Sequence, residues 1–281
     1  MHPVILKLGP LTVHSYGVMI AISFAIGTVL AVRRAEARGI SGEKITDLAL
    51  VVLVSSLVGA RILYVIPHWS DFAGDAIGVL RIWEGGLTLY GGVILAVLAS
   101  YLFVKRERLP WVRVADAVAV SLALGLGIAR IGCFLNGCCH GKPTTGPLGL
   151  LFPAGSVAGD AFPGTPVLPT QLFESAFGFV LLGVLLLIER AKPRDGVAIL
   201  VVLVGYAAFR FVLDFARFYE PSMIVTVGGV PLSVNQIVSL VGVAGGVFGL
   251  IRIRGARGRP GEAADAEAAS GAATGAAGKR A

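Results

Sequence analysis

Residues 115–134 read ADAVAVSLALGLGIARIGCF, an apolar run that carries only Asp116 and Arg130 as charged residues. At 1.5 Å of rise per residue, such a helix is about 30 Å long, which is the thickness of the hydrocarbon core of a bilayer. The rest of the chain has the same character, since 56% of its 281 residues are hydrophobic and only 15% are charged. Soluble domains carry about 25% charged residues. The run therefore predicts a transmembrane helix in a membrane protein.

Comparable apolar runs recur along the chain, and each is long enough to cross a bilayer as a helix. The first has no basic segment before it and no small-residue cleavage site, so we interpret it as a retained helix. The predicted fold class is an all-α integral membrane protein, a bundle of about seven transmembrane helices with irregular outward-facing loops. The predicted spans lie near residues 15–33, 46–66, 86–104, 115–134, 170–189, 196–214 and 234–252.

The composition divides the chain into two parts. Residues 1–254 contain all the predicted spans and form one transmembrane domain. Residues 255–281 read GARGRPGEAADAEAASGAATGAAGKRA, a low-complexity segment of alanine, glycine and mixed charge. Such a segment cannot bury a core, so it predicts a disordered tail.

Basic residues indicate which loops face the cytoplasm. The formal net charge is +7, and most of the 24 Lys and Arg residues follow the first, third, fifth and seventh spans. The positive-inside rule then places the N-terminus outside and the C-terminal tail in the cytoplasm. We interpret the basic excess as membrane anchoring and expect no nucleic-acid partner.

Four arginines do not fit this anchoring pattern. Arg61, Arg130, Arg210 and Arg217 lie within spans or at their outward ends, and a charge at the bilayer centre costs roughly 2.5–3.5 kcal/mol. Their gathering toward one face favours a shared anion site over four separate snorkelling side chains. Arg210, Asp214 and Arg217 are spaced i, i+4 and i+7, so they project from one face of a helix. Arginine suits phosphate because its planar fork binds two oxygens and keeps its charge.

The segment ARIGCFLNGCCHGKPT, residues 129–144, places further polar chemistry at the end of a span. Its glycines predict a backbone that approaches a ligand closely. Cys138, Cys139 and His140 lack the spaced pairs typical of zinc sites, so we expect no metal. The adjacent cysteines leave a thiol-exchange reaction open.

Six segments together resemble the prolipoprotein diacylglyceryl transferase family: HSYGVM, GARILY, EGGLTLYGG, ARIGCFLNGCCHGKP, LPTQLFE and YAAFRFVLDFAR. They occur in the family's order and spacing over almost the whole chain up to the tail. The resemblance implies a multi-pass enzyme of the bacterial cytoplasmic (inner) membrane, with residues 1–254 as its catalytic domain and its active site toward the outer leaflet. Such an enzyme transfers the diacylglyceryl group of phosphatidylglycerol to the lipobox cysteine thiol of a prolipoprotein, forming a thioether and releasing glycerol phosphate. The implied partners are phosphatidylglycerol, prolipoprotein signal peptides and membrane lipids, and no cofactor is implied.

The resemblance also implies roles for particular residues. Arg130 and Arg210 match arginines that the family needs, and Tyr90 is the third candidate catalytic residue. Other motif positions add candidates for substrate binding. The full set of substrate-binding candidates is Arg130, Arg210, Arg61, Tyr16, Asn136, Gly141, Asp214 and Arg217.

The chain departs from the family pattern at several positions. Cys133 and Cys138 stand where the signature has Asn and Glu, and Tyr90 and Leu168 stand where some or most members have His. The group that activates the acceptor thiol is therefore open among Tyr90, His140 and Glu174.

Three other interpretations remain open at this level. A membrane thiol oxidoreductase would use Cys138 and Cys139 for its chemistry. A non-catalytic relative would bind the lipid without turnover. An anion transporter is the third, although we find no internal repeat of the kind that many transporters carry.

Overall fold

The structure is a computed structural model of the whole chain. It describes residues 3–8, 11–72, 74–82, 85–191, 193–219, 223–227 and 229–255. Of the predicted tail, residues 255–281, only Gly255 belongs to this part, and there it ends the last helix. The rest of the tail lies outside the described residues.

The described residues form a helical bundle, which confirms the predicted fold class. Six of the helices are long and apolar enough to cross a membrane, and a further apolar helix, Val197–Leu213, has 17 residues. Two others are short, with four and five residues. In chain order the helices are α1 Ser15–Glu36, α2 Gly42–Val65, α3 Trp69–Phe72, α4 Leu89–Arg106, α5 Trp111–Asn136, α6 Val157–Ala161, α7 Thr170–Arg190, α8 Val197–Leu213 and α9 Val234–Gly255.

Two antiparallel hairpins lead directly into helices of the bundle. Strands β1, Val4–Leu8, and β2, Leu11–His14, pair immediately before α1. Strands β3, Ile224–Val227, and β4, Val230–Ser233, pair immediately before α9. The sequence analysis predicts only helices and irregular loops, so these strands, each four or five residues long, are an addition from the structure.

Neighbouring long helices pack antiparallel through small residues. Between α1 and α5, the Ser121 hydroxyl donates to the Gly27 carbonyl at 2.7 Å, and the Ser23 hydroxyl donates to the Gly125 carbonyl at 3.2 Å. Small residues bring helix axes close, and in a membrane this close packing replaces the hydrophobic effect as the source of association. Each serine hydroxyl thus bonds to the carbonyl of a glycine on the partner helix, where the missing side chain leaves room for it.

Helices α2 and α4 cross at a pair of glycines. A Cβ atom added to Gly59 would overlap the Gly91 carbonyl, and one added to Gly91 would overlap the Gly59 carbonyl. Gly91 of the segment EGGLTLYGG therefore serves close helix contact.

One end of the bundle is fixed by a buried ionic cluster. Asp116 on α5 is 2% exposed and accepts hydrogen bonds from the backbone N–H groups of Gly196 at 2.6 Å and Ile199 at 2.9 Å, where α8 begins. Arg38 lies 3.6 Å from Asp116 and 2.9 Å from Glu189 on α7. These contacts join the segment after α1 to α5, α7 and α8. The opposite end of the same helices holds the polar residues that the sequence singles out.

Candidate active site

A single buried carboxylate lies at the centre of the candidate site. Glu174, on the second turn of α7, is fully buried and faces three guanidinium groups. Its Oε1 accepts from Nη1 of Arg210 at 2.6 Å. Its Oε2 lies 3.0 Å from Nε of Arg130 and accepts from Nη1 of Arg217 at 3.3 Å. We call these four residues the arginine cluster.

The antiparallel packing explains why these residues meet. Arg130 lies near the C-terminal end of α5, and Arg210 lies in the last turn of α8. Helix α7 runs antiparallel to both, so its N-terminal turns, which carry Glu174, reach the same level of the bundle. Arg217 follows in the segment after α8, where the chain turns back toward α5. Four separate segments therefore bring one charge each to one point.

A second layer of hydrogen bonds holds Arg210 in place. Asp214 lies one turn further along, and its Oδ1 is 3.1 Å from Nε of Arg210. Tyr219 accepts from Nη2 of Arg210 at 2.6 Å and donates to Asp214 at 2.9 Å, and Ser233 donates to the other Asp214 oxygen at 2.7 Å. Burial raises the pKa of the Tyr219 phenol, so that it keeps its proton for this bond at neutral pH. Asp214 is thus a positioning residue for Arg210.

Tyr90 is connected to this layer through one asparagine. The Tyr90 hydroxyl, on the first turn of α4, donates to Oδ1 of Asn235 at 3.2 Å. Asn235, on α9, donates from Nδ2 to the Tyr219 hydroxyl at 3.0 Å. The half-exposed Tyr90 therefore lies at the outer end of a hydrogen-bond chain that reaches Arg210.

The site carries more positive than negative charge. Arg130, Arg210 and Arg217 face the carboxylates of Glu174 and Asp214, which leaves one positive charge in excess. Nε of Arg217 is buried and has no hydrogen-bond partner among the described residues. A buried donor without an acceptor is costly, since it loses water and gains nothing. The site therefore combines an unbalanced positive charge with an unpartnered hydrogen-bond donor.

A cavity of about 450 Å³ opens beside the cluster. Its wall includes the cationic side chains of Lys142 and Arg217, the hydroxyl groups of Tyr219 and Ser233, and several apolar side chains. The lining residues are Lys142, Pro143, Asp214, Phe215, Arg217, Phe218, Tyr219, Ile224, Pro231, Ser233 and Gln236. A site with both cationic and apolar walls suits an amphipathic ligand.

Gly141 packs the loop after α5 against the segment that carries Arg217. Its N–H donates to the Leu168 carbonyl at 2.8 Å, and it pairs with Arg217 in an isolated β-bridge. A Cβ atom there would meet the Ala216 carbonyl oxygen at 2.7 Å, so only glycine fits. His140 beside it packs against Phe162 and Phe218, with Nδ1 3.0 Å from the Gly141 carbonyl. The imidazole thus belongs to an aromatic contact rather than to the arginine cluster.

Arg61 has a different environment. Its guanidinium donates to the carbonyls of Gly78, Val79, Gly85 and Gly86 at 2.6–3.0 Å and lies against the rings of Tyr64 and Phe72. These bonds hold the irregular segment between α2 and α4. The structure therefore places Arg61 in loop anchoring, away from the three arginines that share Glu174.

Tyr16 and Asn136 border the site without entering its hydrogen-bond network. Tyr16 is the second residue of α1, is 42% exposed, and its backbone packs against Gly132. Asn136 is the last residue of α5, two residues before Cys138. Both lie at the same end of the bundle as the arginine cluster.

Sequence reasoning missed the central position of Glu174 and the parts played by Tyr219 and Asn235. A signal for Glu174 was present in LPTQLFE, because Thr170, Gln171 and Glu174 share one helix face, and all three are fully buried. Polar residues on the inner face of an apolar helix indicate partners inside the bundle. Tyr219 and Asn235 gave no such signal, since each reaches the site from a loop or a helix start.

The chain is similar to curated proteins over most of its length. The family described as Prolipoprotein diacylglyceryl transferase matches residues 3–252. A protein of Halalkalibacterium halodurans named phosphatidylglycerol–prolipoprotein diacylglyceryl transferase is 35% identical over 86% of this chain and 83% of its own length. Proteins of the same name from Bordetella bronchiseptica and Nostoc are 34% and 33% identical, over 85% and 88% of this chain and 90% and 88% of their own lengths.

Proposed function

The chain belongs to the prolipoprotein diacylglyceryl transferase family, and we propose that the arginine cluster is the site at which it carries out the family's reaction. The protein is a multi-pass membrane enzyme of lipoprotein maturation. It transfers the diacylglyceryl group of phosphatidylglycerol to the cysteine thiol of a prolipoprotein, the first step of that maturation. A thioether forms and glycerol phosphate leaves.

The excess positive charge of the cluster is the observation that carries this proposal. A phosphodiester has one negative charge, which equals the one positive charge left after Glu174 and Asp214 are paired. The unpartnered Nε of Arg217 supplies a donor that a phosphate oxygen can accept from. We infer that the lipid phosphate sits against Arg217, with Arg130 and Arg210 held behind it by Glu174.

The same charges favour the reaction as well as binding. The acceptor sulfur attacks the glycerol carbon that bears the phosphate ester, so that a C–S bond forms as the C–O bond breaks. The bonding pair stays on the phosphate, which acquires a second negative charge. Fixed guanidinium groups stabilise that charge more in the transition state than in the bound diester. The preorganised cluster thus lowers the barrier without rearranging during the reaction.

The proton of the acceptor thiol needs an acceptor, because the thiolate is the nucleophile. Glu174 is poorly suited, since both its oxygens already accept from arginines. His140 is packed between two phenylalanine rings. We propose that Tyr90 contacts the incoming thiol and that its hydrogen-bond chain through Asn235 and Tyr219 orients it. The proton of the acceptor thiol is taken up by the departing glycerol phosphate or by water.

We also propose the acceptor substrate, the membrane in which the enzyme lies and its orientation there. The acceptor is the lipobox cysteine of a signal peptide that is still attached, so both substrates reach the site from the bilayer. The enzyme lies in the bacterial inner membrane with its N-terminus outside, and the arginine cluster lies toward the outer leaflet. The concentration of Lys and Arg after the odd-numbered spans supports this orientation.

A transfer assay tests the proposed site. Purified protein in detergent is incubated with phosphatidylglycerol labelled in its acyl chains and a lipobox peptide, and label on the peptide cysteine is counted. We expect Arg130→Ala and Arg210→Ala to lose at least about a hundredfold in rate, since each removes a charge-assisted contact. Arg113→Ala is the matched control, because Arg113 lies at the other end of the same helix and forms an exposed bridge with Asp195.

The possible outcomes distinguish a wrong assignment of the site from an absence of the transferase activity. If transfer persists in both arginine variants, the arginine cluster is not the phosphate site. If the unaltered protein transfers no label while the Asp116-anchored bundle is intact by thermal unfolding, the activity itself is absent and the chain is a lipid-binding relative. A rate for Arg113→Ala close to that of the unaltered protein shows that the losses are local.

A further inference from the structure

All three cysteines of the chain lie together beside the arginine cluster. Cys133 is in the last turn of α5, and Cys138 and Cys139 follow immediately after the helix. Their three Sγ atoms lie within 4.8 Å of one another, and none of them is in a disulfide. Cys133 is buried, and the other two are partly buried. The proposed reaction uses none of these thiols.

The backbone is bent in a way that returns the second and third thiols to the first. Gly137 adopts a left-handed conformation with φ of 73°, and the Cys138 N–H then donates to the Cys133 carbonyl at 3.1 Å. Cys139 also has a positive φ of 62°, which is uncommon for a residue other than glycine. Strained backbone of this kind persists where the surroundings hold it, and it is concentrated at functional sites.

Two side chains of α7 hold that strained turn. Gln171 donates from Nε2 to the Cys138 carbonyl at 2.7 Å, and Thr170 donates from Oγ1 to the Cys139 carbonyl at 2.8 Å. Both side chains are fully buried. The turn is therefore fixed through its carbonyls, and the Cys138 thiol also donates to the Cys133 carbonyl at 3.7 Å.

The spacing of the cysteines in the sequence predicts no metal, but the folded turn brings Cys133 to the two later thiols. We propose that Cys133, Cys138 and Cys139 form a trithiolate site for a divalent thiophilic d10 cation of the Zn²⁺ class. Sulfur ligands at about 2.3 Å around such a cation lie roughly 3.8–4.0 Å apart. The thiols are already within 4.8 Å of one another, so small side-chain rotations bring them into range. Binding releases three protons to solvent and involves no oxidation or reduction.

Charge selects a divalent cation for this position. Three thiolates and one M²⁺ ion carry a net single negative charge, whereas a monovalent ion would leave two. The arginine cluster together with Asp214 has one positive charge in excess, so the divalent complex is neutralised by its surroundings. Nη1 of Arg130 already donates toward the Cys133 sulfur at 3.8 Å, as groups around a metal centre commonly do toward its thiolate ligands.

The metal complex and the lipid phosphate then compete for the same charge. Arg130 contacts Cys133 with one nitrogen and Glu174 with another, so it belongs to both sites. A bound cation with its three thiolates takes up the positive charge that the proposed function assigns to the phosphate. We therefore expect metal binding to inhibit the transfer.

Binding is measured first, because it does not depend on transferase activity. Purified protein is kept under a non-thiol reductant, three free thiols per chain are verified by titration, and Cd²⁺ alone is added while thiolate-to-metal absorption is followed. We expect one Cd²⁺ per chain, which Zn²⁺ displaces only in excess because thiolates prefer the softer cation. We also expect at least a tenfold weaker affinity for Cys138→Ser and for Cys139→Ser. His68→Ala, which removes an exposed imidazole elsewhere, should leave the affinity unchanged.

Two results would overturn the site. One is equal Cd²⁺ binding by the unaltered protein and a variant with all three cysteines replaced by serine. The other is a stoichiometry of one metal per two chains, which places the ligands between molecules. Thermal unfolding of each single cysteine variant is compared with that of the unaltered protein. If one variant is misfolded, the Cd²⁺ affinity of the other variant decides whether the cysteines bind the metal.

Inhibition is a separate arm that rests on the proposed function. Zn²⁺ held at a buffered concentration above the measured dissociation constant should slow transfer at least tenfold in the unaltered protein. Cys138→Ser, compared with its own metal-free rate, should be slowed less than twofold. Both reactions contain the same lipobox thiol, so metal taken up by the peptide cancels. Binding without inhibition would retain the metal site and contradict its coupling to Arg130.

Discussion

Glu174 accepts a hydrogen bond of 2.6 Å from Arg210, and the pair joins α7 to α8 at a point where Glu174 is fully buried and Arg210 is 9% exposed. Two more guanidinium groups use the other oxygen of the same carboxylate. The carboxylate is therefore the counter-ion that allows three arginines to be buried at one point. The excess charge available to a substrate depends on it.

Replacing Glu174 by Gln tests how much this counter-ion contributes to the stability of the folded protein. The amide keeps the shape but removes the charge, so three arginines face one another with one carboxylate less. We expect the free energy of unfolding to fall by about 3–5 kcal/mol, as when one partner of a buried ion pair is removed. Thermal or denaturant unfolding in detergent measures it.

Glu107→Gln is the control for that experiment. Glu107 pairs with Lys44 at 2.7 Å outside the bundle core, and the bond to Lys44 lowers its pKa. Exposed pairs of this type contribute little to stability, because water screens the charges and two long side chains must be ordered. Equal losses for the two variants would show that Glu174 is not a central counter-ion.

Arg217→Lys tests the unpartnered donor. Lysine preserves the charge but has no group in the position of Nε, which is the buried donor without a partner among the described residues. We expect the KM for phosphatidylglycerol to rise about ten- to hundredfold, the value of one charge-assisted hydrogen bond. Steady-state kinetics at varied lipid concentration give the measurement, with Arg113→Lys as control. A change confined to kcat would assign Arg217 to another step.

Tyr90→Phe tests the hydrogen-bond chain from α4 to Arg210. Removing the hydroxyl breaks the 3.2 Å contact with Asn235, and we expect a loss in rate of about two- to tenfold from one hydrogen bond. Stability should hardly change, because Tyr90 is 54% exposed. Tyr101→Phe, at the other end of the same helix and 48% exposed, is the matched control. An unchanged rate in Tyr90→Phe removes Tyr90 from the mechanism.

Gly59→Ala tests the crossing of α2 and α4. The added methyl group would overlap the Gly91 carbonyl, so the two helices must separate. We expect destabilisation of about 1–3 kcal/mol, the usual result of overpacking. Gly183→Ala on α7 is the control, because a Cβ there meets nothing within 4 Å. Alanine should be neutral or stabilise that helix by up to about 1 kcal/mol.

The sequence could predict the helices because their signal is local. Each apolar run is long enough to span a bilayer, and lipid forces the backbone of such a run to satisfy its hydrogen bonds within itself. The run 115–134, for example, is found inside α5, Trp111–Asn136. The i, i+4 spacing likewise brought Asp214 within 3.1 Å of Arg210. The i+7 part of that prediction is wrong, because α8 ends at Leu213 and Arg217 reaches Glu174 from the segment after the helix.

Only the tertiary structure decided which of the buried arginines share a site. Arg61 and Arg130 look alike in sequence, yet one binds four loop carbonyls and the other binds Glu174. The folded bundle also brought Tyr219, Asn235 and the three thiols into place, through turns and helix starts that have no periodic pattern. Local spacing determines the face of a helix on which a residue lies. The partner across that face depends on how separate helices pack, and packing is a property of the whole chain.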